Sequence, residues 1–130
     1  MPVQAKICGI NTPEAMTAAL DGGAVWVGLM FFPPSPRFVD LKQAAVLAGQ
    51  SAGQAERVGV FVSPDDQLLQ DTLARVPLDV IQLHGKEEPD RVVEVKALTG
   101  LPVWKAVSIS EQTDVERAAA YFETAAQLLF

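Results

Sequence analysis

The chain has 130 residues, 49% of them apolar and 20% charged, and 16 acids against 10 Lys and Arg leave a formal net charge of −6. Such a composition supports a buried core, excludes a disordered tail, and lacks the basic cluster that nucleic-acid binding needs. One cysteine, Cys8, and one histidine, His84, provide neither an internal disulfide nor metal-ligand spacing.

The first predicted element is a strand over residues 3–8, followed by a helix that starts at Thr12, Pro13 and Glu14, where a capping oxygen, a proline and an acid suit a helix N-terminus. Gly22 and Gly23 precede a second strand over 25–31. The apolar run 25–32 is the longest in the chain, at eight residues, where a membrane span needs about 20. Residues 1–4 also lack the basic and apolar regions of a signal peptide, so the expectation is a cytoplasmic protein with no membrane partner. A proline-rich loop, Phe31-Phe32-Pro33-Pro34-Ser35-Pro36-Arg37-Phe38, leads to a helix with Leu41, Ala44, Ala45, Leu47 and Ala48 on one face. Residues 48–55, with Gly49, Ser51 and Gly53, read as a flexible helix end.

A third strand over 58–62 leads to a helix start at Ser63, Pro64, Asp65 and Asp66, with Ser63 as the expected cap. The fourth strand, 79–84, precedes a helix carrying Val92, Val95 and Leu98, which Gly100 and Pro102 stop before a fifth strand over 103–107. Ser110 and Glu111 open a fifth helix with Val115, Ala118, Ala119 and Phe122, and a sixth strand covers 126–130. Strand starts at about residues 3, 25, 57, 79, 103 and 126 are spaced 22, 32, 22, 24 and 23 residues apart, about one βα unit each, and their nearly continuous apolar runs suit strands covered on both faces. Nothing divides residues 1–130 into separate domains. Repeated βα units imply a parallel sheet, either an open doubly wound sheet or part of a (β/α)8 barrel.

Period-two alternation places Lys6 and Cys8 on one face of the first strand and Gln82 and His84 on one face of the fourth. Polar groups near the C-terminal ends of parallel strands mark the active sites of such folds. A cation near a thiol favours the thiolate, a proton acceptor, although a lone cysteine is also a favoured small core residue. His84 can equally hydrogen-bond its own loop. Lys6 and Lys105 can likewise snorkel out of the sheet; if they face a barrel interior they need a carboxylate or an anionic ligand, because an unpaired buried ammonium costs several kcal/mol. Arg37 is presented from a loop stiffened by three prolines and has the planar fork that captures a carboxylate, or else it is an incidental arginine on a solvated loop.

Lys6-Ile7-Cys8-Gly9-Ile10, the proline-rich loop ending in Arg37, Val58-Gly59-Val60-Phe61-Val62, Gln82-Leu83-His84-Gly85 and Lys105-Ala106-Val107 occur in order and at strand ends. Together they resemble the phosphoribosylanthranilate isomerase family over the whole chain. The resemblance implies a TIM barrel and a cofactor-free Amadori rearrangement in tryptophan biosynthesis. It further implies that Cys8 is the general base, that Arg37 binds the anthranilate carboxylate of an anionic small-molecule substrate, and that Gln82, His84 and Lys6 line the substrate site.

The pattern departs from the family at its end, because the general acid is an aspartate just after strand six and the phosphate loops follow strands seven and eight. Eight units of about 24 residues need roughly 190, so the chain is expected to hold the first six strands and five helices, with a quarter to a third of the enzyme outside it. In isolation such a piece is expected to be inactive and to self-associate through exposed strand edges. The competing reading is a flavodoxin-like open-sheet binding domain, in which later strands flank the first on both sides.

Overall fold

The computed structural model describes residues 4–107, Tyr121 and the backbone of Gln127–Leu129. The elements in chain order are β1 (Lys6–Ile7), α1 (Pro13–Asp21), β2 (Trp26–Met30), α2 (Leu41–Gln50), β3 (Glu56–Phe61), α3 (Asp66–Arg75), β4 (Val80–Leu83), α4 (Pro89–Thr99), β5 (Val103–Ala106) and β6 (Gln127–Leu129). The fifth helix expected around Val115–Phe122 lies outside the described residues, Tyr121 excepted.

All five strand pairs are parallel and the sheet runs β1-β2-β3-β4-β5-β6 in sequence order. An open doubly wound sheet reverses direction at a switch point, whereas a barrel adds each strand beside the last. The order therefore belongs to an arc of a barrel, and the flavodoxin-like alternative is not favoured.

The register sorts side chains into two layers. Val27, Leu29, Phe61, Ile81, Leu83 and Val103 face the helices and join Met16 of α1, Leu47 of α2, Leu69 of α3 and Val92 and Val95 of α4 in the main core. Each such side chain, once fully buried, contributes about 1.5–3 kcal/mol by leaving water. On the inner face Val58, Val60, Val80 and Trp104 form a second cluster, with Trp26 and Met30 packed on it. The indoles of Trp26 and Trp104 meet edge to face, 5.3 Å between centroids.

Local chemistry sets the helix ends. Thr12 caps α1 by accepting from the Ala15 N–H at 3.0 Å, and Gly100 ends α4 in the left-handed conformation that side-chain-bearing residues avoid. The cap of α3 is Asp65, accepting from the Leu68 N–H at 2.8 Å, and not Ser63 as the sequence suggested. Ser63 has a φ of 44° and its backbone N–H is held by Glu87 instead. The turn after α2 is tighter than a flexible end, since Ser51 is buried and its hydroxyl donates to the Ala48 carbonyl at 3.0 Å.

Candidate active site

β1 is short because it ends the sheet and the chain bends after Ile7. The N–H groups of Gly9 and Ile10 both donate to the Gly28 carbonyl at 3.1 Å, which ties the segment after β1 to β2. Cys8 is thereby held at the C-terminal rim of the strands, and its side chain is exposed, not a buried hydrophobe. Gly28 lies beneath it: a Cβ there would come within 3.0 Å of the Cys8 sulfur and 3.2 Å of its Cα, so only glycine leaves the thiol its room.

Lys6 points to the inner face, where its ammonium donates to the Gln82 side-chain carbonyl across β2 and β3. Burial pushes the Lys6 ammonium below its ordinary range, opposed by the charge and hydrogen bonding of the neighbouring Cys8 sulfur. Lys6, Cys8 and Gln82 thus come together: alternation along the first strand implied only that Lys6 and Cys8 share a face, and the strand pairing brings Gln82 to it.

The proline-rich loop folds back through turns, with the Ser35 N–H on the Phe32 carbonyl at 2.9 Å and the Arg37 N–H on the Ser35 hydroxyl at 3.1 Å. The Val39 N–H then returns to the Met30 carbonyl at 3.0 Å. The loop lays the Arg37 side chain over Gly9, and Nη1 donates to the Gly9 carbonyl at 3.3 Å. A Cβ on Gly9 would meet Nη1 at 3.1 Å, so the absent side chain is what admits the guanidinium beside Cys8. Arg37 remains exposed, with donors left to bind an anion.

His84 follows β4 at the same rim with its side chain exposed; among the described residues only its backbone N–H is engaged, on the Phe61 carbonyl at 2.8 Å. Lys105 corrects the sequence reading. Its register partner is Leu83, so it faces the helices and not the barrel interior. The carboxylate that meets Lys105 is Glu87, 2.6 Å from Nζ, a residue that the sequence reading did not single out. The available signal was a lysine inside an apolar strand, which requires an acid nearby.

A family model described as N-(5'phosphoribosyl)anthranilate (PRA) isomerase matches residues 5–130. The chain belongs to the phosphoribosylanthranilate isomerase family. N-(5'-phosphoribosyl)anthranilate isomerase of Rhodospirillum centenum is 52% identical over 130 residues, all of this chain and 61% of that protein. The crystal structure of phosphoribosyl anthranilate isomerase from Thermotoga maritima superposes with a TM-score of 0.87 at 34% identity, covering 98% of this chain and 61% of that one. A further isomerase structure, in complex with reduced 1-(o-carboxyphenylamino)-1-deoxyribulose 5-phosphate, has a TM-score of 0.84 at 34% identity and covers 94% of this chain and 62% of that one. The chain therefore spans about three fifths of the isomerases it resembles. The two-thirds to three-quarters expected from uniform 24-residue units was too high.

Proposed function

We propose that the protein serves the Amadori rearrangement of N-(5'-phosphoribosyl)anthranilate to 1-(2-carboxyphenylamino)-1-deoxyribulose 5-phosphate, in the cytoplasm and in tryptophan biosynthesis. The observation that carries the reading is the meeting of Lys6, Cys8 and Gln82 on the inner face beside the Arg37 guanidinium.

The rearrangement needs an acid to protonate the ribose ring oxygen as the ring opens and a base to take the proton from C2'. Cys8 is the base. Its sulfur is exposed to substrate and lies beside the Lys6 amine on the inner face. Gln82 fixes the direction of Lys6 through a side-chain hydrogen bond. Arg37 holds the anthranilate carboxylate with the fork left free beyond its bond to Gly9. His84 lines the rim where the substrate enters. No helix among the described residues is long and apolar enough to cross a membrane. Because β1 and β6 end the sheet, copies of the isolated chain associate through these edges in this reading, which sedimentation at micromolar concentration tests.

The deciding experiment is isomerase turnover in a chain extended to the relatives' full length, with Cys8 intact and with Cys8→Ala. The expected result is turnover with Cys8 and a loss of at least about a thousandfold without it, the folding transition being little changed. Near-normal turnover of Cys8→Ala would remove Cys8 from the role of base, and no turnover with Cys8 intact would remove the reading itself.

A further inference from the structure

The Glu87 carboxylate accepts three hydrogen bonds. Oε1 accepts from the Gly85 N–H at 2.9 Å and from Lys105 Nζ at 2.6 Å, while Oε2 accepts from the Ser63 N–H at 2.7 Å. Its backbone carbonyl accepts from the Tyr121 hydroxyl at 2.6 Å. Lys105 Nζ also donates to the Gly85 carbonyl at 2.7 Å, so one buried ion pair grips both sides of the peptide chain at Gly85. The two side chains are only 3% and 2% exposed.

These bonds join two neighbouring turns at the C-terminal rim, the one after β3 at Ser63 and the one after β4 at Gly85, to the strand β5 at Lys105. Ser63 is held at a φ of 44°, a conformation that a serine seldom adopts without external support. A Cβ at Gly85 would come within 2.6 Å of the Ser63 hydroxyl and 2.8 Å of its nitrogen, so the two turns touch directly there. His84 immediately precedes Gly85, and Gln82, the partner of Lys6, is two residues further back. A buried carboxylate with fixed N–H donors is a rigid support, whereas His84 itself has no side-chain hydrogen bond among the described residues to hold it.

We infer that Glu87 is a positioning residue for the candidate site: its carboxylate locks the turns after β3 and β4 together and so sets where His84 stands at the rim. The inference deepens the isomerase reading and rests on it for its consequence in catalysis, though not for its test.

His84 is the chain's only histidine, so its imidazole gives a single reporter signal in NMR spectra. Three variants separate position from stability. Glu87→Leu combined with Lys105→Met removes both charges together, so that neither is left buried and unpaired, and frees the Ser63 and Gly85 N–H groups from their common acceptor. Glu87→Asp keeps the charge opposite Lys105 but is one methylene too short to reach Ser63 and Gly85 together. Leu69→Ala, in the buried face of α3, is a destabilising control away from the network. In the Glu87 variants the His84 signal is expected to shift and broaden, while in Leu69→Ala it stays at the wild-type position despite a lower melting temperature. In the enzyme extended to the relatives' length, kcat/KM of Glu87→Asp is expected to fall about 10–100-fold, the scale of an ångström-sized misplacement. A His84 signal unmoved in either Glu87 variant, or moved as far in Leu69→Ala, would overturn the inference whatever the turnover. A failure of the isomerase reading would show in turnover alone and leave the His84 comparison standing.

Discussion

Lys105→Met removes the cation from a pair that solvent does not reach, and its cost can be worked from the contacts left behind. Methionine fills nearly the same volume as the lysine stem, so cavity formation contributes little. The Glu87 carboxylate keeps the N–H groups of Ser63 at 2.7 Å and Gly85 at 2.9 Å, but loses its counter-charge at 2.6 Å, and the Gly85 carbonyl loses its donor. Breaking one side of a buried pair costs about 3–5 kcal/mol, and the two retained charge-assisted bonds place the loss near the lower end, at about 3 kcal/mol. With a urea m-value of about 1–3 kcal/mol/M, the midpoint should fall by about 1–3 M. The contrast is Asp66→Ala, which breaks the Arg91–Asp66 pair at 2.7 Å, where the aspartate side chain is 63% exposed; water screens that pair, and about 1 kcal/mol or less is expected. Urea unfolding followed by the fluorescence of Trp26 and Trp104 compares the two. If Lys105→Met moved the midpoint no further than Asp66→Ala, burial would not govern the strength of the pair and the reasoning would fail.

Gly28→Ala places a methyl group 3.0 Å from the Cys8 sulfur and 3.2 Å from its Cα, so the rate of thiol–disulfide exchange at Cys8 should change at least severalfold while the melting temperature falls only moderately. An unchanged exchange rate would mean that the β1 end yields freely. Arg37→Lys replaces a planar fork by a point charge, and in the length-extended enzyme KM should rise about tenfold or more with kcat little altered; a fall confined to kcat would assign Arg37 elsewhere. Burial raises the Asp79 pKa, but the hydrogen bonds from the Arg57 side chain and backbone, with its charge, outweigh that and hold the carboxyl below its ordinary 3.8. The stability this supplies is present above pH 3.8 and is lost as pH falls through the folded-state value, so Asp79→Asn should flatten the acid limb of a stability–pH curve below about pH 4. An acid limb of unchanged slope would show that the Arg57 contact does not act through the Asp79 charge.

The order of strands and helices was legible in the sequence because its signals are local. Apolar runs mark the buried strands, and Thr12 and Gly100 act on backbone groups within a few residues of themselves. The same local rules could not choose between Ser63 and Asp65 as the cap of α3, since both residues suit it; Glu87, 24 positions along the chain, decides by claiming the Ser63 N–H. Alternation put Lys6 with Cys8 and Gln82 with His84, but it compares residues within one strand only. Whether two strands present the same parity inward depends on their register, and the pairing of Lys105 with Leu83 turned that lysine toward the helices. The sequence by itself thus determined the βα order, the family motifs and the residue types available for chemistry. Only the tertiary structure decided that Lys6 reaches Gln82, that Arg37 lies over Gly9, and that Glu87 neutralises Lys105, because each contact joins segments more than 15 residues apart whose meeting is set by strand register and sheet curvature.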